Sequence, residues 1–269
     1  MDPIVKLGVK AARRAGSLMV RYIDRLERVS VEKKGRRDFV SEIDRMVEEE
    51  IIQTIRDSYP NHRIIAEESG VSEPGEATDD AEIDWIIDPL DGTTNYLHGD
   101  PHFAISIGVR KSGAMVHGII FDPLRDELFT ATRSQGAQLN SRRIRVSGTG
   151  SLNEALVGTG FSIRDLRAVD GVMRVMRGML PKVSNLKISG SAALDLAYVA
   201  SGRLDGYWEQ GIKPWDMAAG SLLVREAGGL VADFGGGQDF LETGSIVAAN
   251  PRMFNELLTL VKTRFSHAS

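Results

Sequence analysis

Apolar positions recur with helical spacing from the start of the chain. Ile4, Ala11, Ala15, Leu18, Tyr22 and Leu26 share one stripe, and Asp2-Pro3 ahead of them supplies a capping acid and a first-turn proline. A polar, basic stretch, "VSVEKKGRRDFV", interrupts the pattern. Gly35 among Lys33, Lys34, Arg36 and Arg37 predicts a mobile loop or hairpin tip. Helical spacing returns at 43–59, where Ile43, Met46, Val47, Ile51 and Ile55 lie on one face and Pro60 stops the run. "HRIIAEESG" is a short apolar run that ends in acids. The Gly- and Pro-bearing "VSEPGEATDDAE" reads as an exposed loop.

From Phe103 the period drops to two. "FAISIGVR", "AMVHGIIFD" and "DELFTATR" predict three strands joined by the turn signals "KSGA" and "DPLR", an antiparallel meander. Beyond "LNSRRIRVSG" the two periods mix. "EALVGTGF", "VSNLKIS", "LDGYWE", "GLVADF" and "GSIVAAN" read as strands. Helices are expected at 166–180, in "GSAALDLAYVASG", in "PWDMAAGSLLVREAGG" with its glycine stop, and in "PRMFNELLTLVKTRF". The order predicts an N-terminal α+β half over residues 1–145, built on an antiparallel sheet, and a C-terminal α/β half over 146–269.

Composition narrows the chemistry. The 269 residues are 42% apolar and 26% charged, enough for one large domain or two halves sharing a core. A net charge of -4 and a pI of about 5.8 leave no broad basic field for a polyanion, so nucleic acid is not the expected partner. The absence of cysteine excludes a disulfide scaffold, thiolate metal sites and a thiol nucleophile, so any metal must take oxygen or imidazole ligands. The histidines show no paired metal-ligand spacing, which disfavours zinc. Lys6, Lys10, Arg13 and Arg14 interrupt the N-terminus too often for a signal-peptide core, and no charge-free window approaches the roughly 18 residues of a membrane span. A soluble, cytoplasmic protein is expected, with no membrane partner.

The stretch "WIIDPLDGTTN" sets charge against hydrophobicity. Trp85-Ile86-Ile87 leads into Asp88 and Asp91, and a strand ending at these acids is expected. Carboxylates at the end of a buried strand are unfavourable unless something offsets the charge. Asp-Pro and Asp-Gly serve as turn caps, and hard divalent cations bind such oxygens. Pro89 fixes one backbone angle, so both carboxylates and the Leu90 carbonyl can face one point. Mg²⁺ suits that ligand set, and two ions suit clustered acids better than one. Gly92, Thr93 and Thr94 then allow close backbone approach, and N–H groups of a following helical turn attract phosphate. Acids for metal beside donors for phosphate are the layout of a phosphoryl-transfer site. Glu67 in "AEES" and Asp216 in "PWDMAAG" are further acids, though the first also fits a surface pair and the second a helix-dipole acid.

"EES", "WIIDPLDGTTN" and "WEQGIKPWDMAAGSLLVREAGG" resemble the inositol monophosphatase family of Mg²⁺-dependent, lithium-sensitive phosphatases. "PHFAISIGV", "LFTATRSQGAQLN" and "GSAALDLAYVASGRLDGYWE" are similar to its bacterial members, and the resemblance spans nearly the whole chain. It implies a layered αβαβα sandwich of the inositol monophosphatase and fructose-1,6-bisphosphatase type, forming one compact catalytic unit and a homodimer. It also implies two or three Mg²⁺ ions. Glu67, Asp88 and the Leu90 carbonyl would share one; Asp88, Asp91 and Asp216 would hold a second; a weaker third would lie beside Glu67. Thr93 and Asp44 would orient the attacking water, with Glu67 as a further catalytic acid. Ser41 and Asp44 also fit plain helix capping.

The same resemblance implies phosphate contacts at Asp91, Gly92, Thr93 and Asp216. Gly190, Ser191 and Ala192 would lie along a sugar or inositol ring, and Glu209 would accept hydrogen bonds from ring hydroxyls. Lys33 or Lys34 would supply the basic residue of a flexible loop. Lys187 would touch substrate, where bacterial relatives usually carry arginine; lysine keeps the charge but not the bidentate fork. Ile188 replaces a charge often used at the dimer contact.

The implied reaction is hydrolysis of a sugar or polyol phosphate monoester, myo-inositol 1-phosphate first, by metal-activated water and without a covalent phospho-enzyme. Fructose 1,6-bisphosphate, histidinol phosphate and 3′-phosphoadenosine nucleotides are alternative substrates within the fold. A regulatory association with RNA or the transcription machinery is a different class of function. The basic patches "KKGRR" and "NSRRIRV" suggest it, and the acidic balance weighs against it.

Overall fold

The computed structural model describes residues 2–23, 31–35, 38–72, 82–161 and 166–266, with the side chains of 31–41, 166–168 and 266 left aside. The first stripe forms α1 (Pro3–Ile23), with Ala11, Ala12, Ala15 and Met19 buried; Leu26 lies outside the described residues. The basic stretch is an antiparallel hairpin of β1 (Val31–Gly35) and β2 (Asp38–Ser41), with Arg36 and Arg37 outside the described residues. The second stripe is α2 (Glu42–Arg56). A helical bond from Tyr59 N–H to the Ile55 carbonyl at 2.8 Å extends it, and Pro60 has no N–H to continue the ladder.

One sheet is built from β3 (Arg63–Ala66), β4 (Gly70–Ser72), β5 (Ile83–Asp91), β6 (Ala104–Lys111), β7 (Ala114–Asp122), β8 (Glu127–Thr132), β9 (Gly136–Leu139) and β10 (Arg142–Arg143). Its order is β10-β9-β8-β7-β6-β5-β3-β4, and the expected meander is β6-β7-β8. The sheet is antiparallel except where β3 runs parallel to β5. The chain between β4 and β5 lies mostly outside the described residues, including most of the loop read in "VSEPGEATDDAE".

The strand ends at the aspartates, as expected, but it passes through a bulge between them. β5 runs on to Asp91, and its register against β6 shifts between Asp88, opposite Ser106, and Asp91, opposite Ala104. Pro89 sits in this bulge, where a residue without an N–H breaks no ladder bond. The bulge aims both carboxylates away from the regular alternation of the strand.

The second sheet contains β11 (Leu156–Phe161), β12 (Asn185–Ile188), β13 (Gly206–Gln210), β14 (Leu230–Ala232) and β15 (Ser245–Ala249) in the order β12-β11-β13-β15-β14. β12, β11 and β13 are parallel; β15 and β14 complete it antiparallel. The remaining helices are α3 (Thr93–Leu97), α4 (Leu166–Met179), α5 (Ala192–Ala200), α6 (Pro214–Glu226), α7 (Phe240–Thr243) and α8 (Phe254–Ser266).

α1 and α2 cover one face of the first sheet, α5 and α6 pack between the sheets, and α4 and α8 pair beyond the second. The layers are therefore αβαβα, as the resemblance implied. Every residue of α5 is buried, and α6 is buried from Met217 to Val224. A helix touching apolar layers on two sides needs no polar stripe, which explains the uniformly small and apolar sequence of both. Among the described residues no helix is long and apolar enough to cross a membrane.

Candidate active site

The bulge of β5, the turn after it and the N-termini of α5 and α6 border one cavity of about 480 Å³. Asp88, Asp91 and Asp216 bring carboxylate oxygens within 4.8 Å of one another there. Each carboxyl is oriented by nearby donors. Leu90 N–H reaches Asp88 Oδ1 at 3.0 Å. Ser191 Oγ and Ala193 N–H donate to Asp91 Oδ2 at 2.6 and 2.7 Å. Lys213 N–H donates to Asp216 Oδ2 at 2.7 Å, one half of a capping box. Asp216 thus serves the start of α6 and faces the cluster with the same carboxyl.

The cluster is electrostatically unfavourable for the protein alone. Burial pushes the Asp88 carboxyl well above the usual carboxylate range, and the charges of Glu67, Asp91 and Asp216 push it further. Burial and then Asp216 raise Asp91 to about 7, against the lowering effect of the Ser191 and Ala193 donors. A divalent cation among them adds an attraction to each carboxylate that outweighs these like-charge repulsions and favours the ionised forms. The donors are all hard oxygens, and the Glu67 side chain and Leu90 border the same cavity. The set fits Mg²⁺, with Glu67, Asp88, Asp91, Asp216 and the Leu90 carbonyl as the groups that would hold it.

Thr93 stands beside the cluster on the first turn of α3. Its Oγ1 lies 3.0 Å from Asp44 Oδ1 and 3.1 Å from the Leu90 carbonyl oxygen, and its single proton serves one of them. Asp44 is 1% exposed and sits behind Thr93 on α2, outside the cavity lining. Gly92 between bulge and helix has φ +96, and a Cβ there would come within 2.9 Å of the His102 carbonyl. Only glycine fits this turn, which puts backbone rather than side chain at the cavity wall.

Gly190, Ser191 and Ala192 border the opposite wall, and Glu209 projects from β13. The Tyr207 hydroxyl donates to Glu209, and burial pushes the Glu209 carboxyl up to about 8 despite that bond. Gly160 on neighbouring β11 leaves the space: a Cβ there would lie 2.4 Å from Glu209 Oε1.

Lys187 is placed elsewhere. Its Nζ lies 5.6 Å from the centre of the Tyr198 ring, and it is not part of the cavity wall. Successive strand residues point to opposite sides, and Ile188 takes the cavity side, 52% exposed. Lys33 and Lys34 lie on β1, and their side chains fall outside the described part of the structure.

Several residues at the site escaped sequence reasoning. Asn95 Nδ2 donates to the His102 carbonyl at 2.7 Å and the Ser189 carbonyl at 2.9 Å, tying α3 to loops of both sheets. Its place directly after "DGTT" was the available signal. Glu48 accepts the backbone N–H groups of Glu68 and Ser69 at 2.8 and 2.7 Å. An acid one turn after Asp44, on the face that carries Val47 and Ile51, was its signal. Tyr207 offered none, because a strand aromatic usually reads as core.

Comparison with known proteins places this geometry. The chain matches the inositol monophosphatase family over residues 1–264. It is 49% identical over 265 residues to "Nus factor SuhB" of Pseudomonas aeruginosa, with 97% of each chain covered. The crystal structure of extragenic suppressor protein suhB from Bartonella henselae has a TM-score of 0.93 at 40% identity, over 97% of this chain and 99% of that one. The inositol monophosphatase of Anabaena (Nostoc) sp. PCC 7120 has a TM-score of 0.85 at 38% identity, over 97% and 95%. Sequence and layered fold agree over the full span that carries the acid cluster, and the chain belongs to the inositol monophosphatase family.

Proposed function

We propose that the protein is a Mg²⁺-dependent, lithium-sensitive phosphatase for a sugar or polyol phosphate monoester, with myo-inositol 1-phosphate as its principal substrate. The observation that carries this reading is the set of three carboxylates within 4.8 Å, in a cavity that also presents Thr93 and Glu209. Family membership supports it. Divalent cations, when bound, supply the charge that neutralises these acids, polarises phosphate and makes water a better nucleophile.

The chain's own residues position the reactants. Asp44 accepts the Thr93 proton, so the remaining lone pairs of Thr93 Oγ1 can accept a hydrogen bond from water and aim it in line at phosphorus. The Gly92-Thr93 backbone lets the phosphate approach closely. Glu209 accepts hydrogen bonds from hydroxyls of the alcohol half, while Gly190, Ser191 and Ala192 lie along its ring. Residues 1–145 supply the cluster's first two aspartates and residues 146–269 the third, and the two halves act as one catalytic unit. We also propose that the protein is a homodimer in the cytoplasm, which sedimentation and cell fractionation test.

A phosphate-release panel tests the activity, comparing inositol 1-phosphate, fructose 1,6-bisphosphate, histidinol phosphate and 3′-phosphoadenosine 5′-phosphate. The expected result is the highest kcat/KM for inositol 1-phosphate, strict dependence on Mg²⁺ and inhibition by Li⁺. A higher kcat/KM for another ester reassigns the substrate. Turnover that survives chelation sinks the metal-dependent reading.

The name shared by several relatives, Nus factor SuhB, supports a second role beside catalysis: association with the transcription machinery. Arg142, Arg143 and Arg145 form an exposed basic strip on and after β10. Pull-down of elongation complexes and a low-salt RNA titration test this role. Binding to neither removes it.

A further inference from the structure

Glu48 lies on the buried face of α2, one turn beyond Asp44, and is 3% exposed. Both of its carboxylate oxygens are engaged by the turn between β3 and β4: Glu68 N–H reaches Oε2 at 2.8 Å and Ser69 N–H reaches Oε1 at 2.7 Å. A buried charge is an expensive way to close a turn. The backbone already anchors this one, since Glu67 N–H bonds the Ile87 carbonyl at 3.2 Å and Gly70 follows in the left-handed region at φ +75. What the turn carries is Glu67, whose side chain borders the cavity. Two consecutive amides gripping two oxygens of one carboxylate set the turn's orientation as well as its position. Four residues earlier on the same helix, Asp44 meets Thr93 at 3.0 Å.

We propose that Glu48 is a positioning residue that aims Glu67 at the divalent-cation site, and that α2 thereby holds Thr93 and the Glu67 turn in fixed relation. This rests on Glu67 being a metal ligand. Glu48 itself stands outside the cavity lining, so the proposed role acts through Glu67.

The test is a Mg²⁺ titration of the melting temperature in Glu48→Gln, Glu48→Asp and Glu67→Gln, with circular dichroism to establish folding. Glutamine offers one acceptor oxygen and sets an NH₂ group against the second amide, so the turn loses half of its grip. In Glu48→Gln the Mg²⁺ midpoint should rise about tenfold to a hundredfold, the range for partners that orient metal ligands. Glu48→Asp should shift it less, and turnover of Glu48→Gln should recover as Mg²⁺ is raised. A lowered metal-free melting temperature with an unshifted Mg²⁺ midpoint makes Glu48 a structural cap and overturns the proposal. If Glu48→Gln does not fold, Glu48→Asp carries the same measurement, and an unshifted midpoint there overturns it. Glu67→Gln separates the two readings. A shift in that variant but in neither Glu48 variant rejects the positioning role alone; no shift in Glu67→Gln rejects Glu67 as a ligand, and the Glu48 role with it.

Discussion

Thr93 has one hydroxyl proton and two acceptors within 3.1 Å, so its role turns on which of them takes it. Thr93→Val keeps the shape and removes both the proton and the lone pairs. Its kcat should fall by about a hundredfold to ten-thousandfold, the usual scale for a group that positions the reacting proton, with Thr93→Ser restoring most of the rate. Steady-state phosphate release measures both. Asp88→Asn separates stability from function. It removes the cost of placing an ionisable carboxyl where burial and the charges of Glu67, Asp91 and Asp216 all disfavour its charged form. The metal-free variant should therefore melt at a higher temperature than the wild type while losing Mg²⁺-dependent phosphate release. Near-normal turnover by Asp88→Asn would remove the cluster from the mechanism.

At the scale of elements, the site forms because α3, α5 and α6 all begin at the same place. Asn95 ties the first of these to the approach to the second: its amide on α3 reaches the loop before β6 and the loop before α5. Asn95→Ala leaves two carbonyls without this donor and should cost about 1–3 kcal/mol in urea denaturation. It should also lower kcat, because Gly190 to Ala192 follow directly from the released loop. Unchanged stability and rate would show that the two loops hold their places without it. The edges of elements were legible where a local rule set them, as with Pro60 after α2. The passage of β5 through Pro89 was not, because a bulge is defined only against the partner strand.

At the scale of the whole molecule, stability is tied to metal and pH. Asp88 and Asp91 are held above the ordinary carboxylate range in the metal-free fold, Asp91 at about 7. A carboxyl raised on folding is protonated in the fold where the unfolded chain has already ionised. Its contribution is present below the unfolded value and is lost as pH rises through the folded one. The metal-free protein should lose stability from these groups between the ordinary carboxylate range and about pH 7 or above. A divalent cation held by the folded cluster and not by the unfolded chain would offset that charge. Its stabilisation, read by thermal melts with Mg²⁺ or chelator, should be larger at about pH 8 than at about pH 6, with protons released on binding at the lower pH. An effect that shrinks as pH rises would place Mg²⁺ somewhere other than this cluster.

The sequence alone determined the helices and the meander, because a buried face imposes its period on any segment that packs against a core. It also determined that the acids of "WIIDPLDGTTN" needed an explanation, since charge beside an apolar run is unfavourable wherever the run is buried. Resemblance supplied the distant partners, Glu67 and Asp216. Only the tertiary structure decided which separated side chains meet. Asp91 reaches Ser191 across 100 positions and Glu48 grips Glu68 across 20. No local rule relates such positions. Their distances are set by how α2 lies on β5 and how α5 is held between two sheets, and packing of that kind depends on every layer at once.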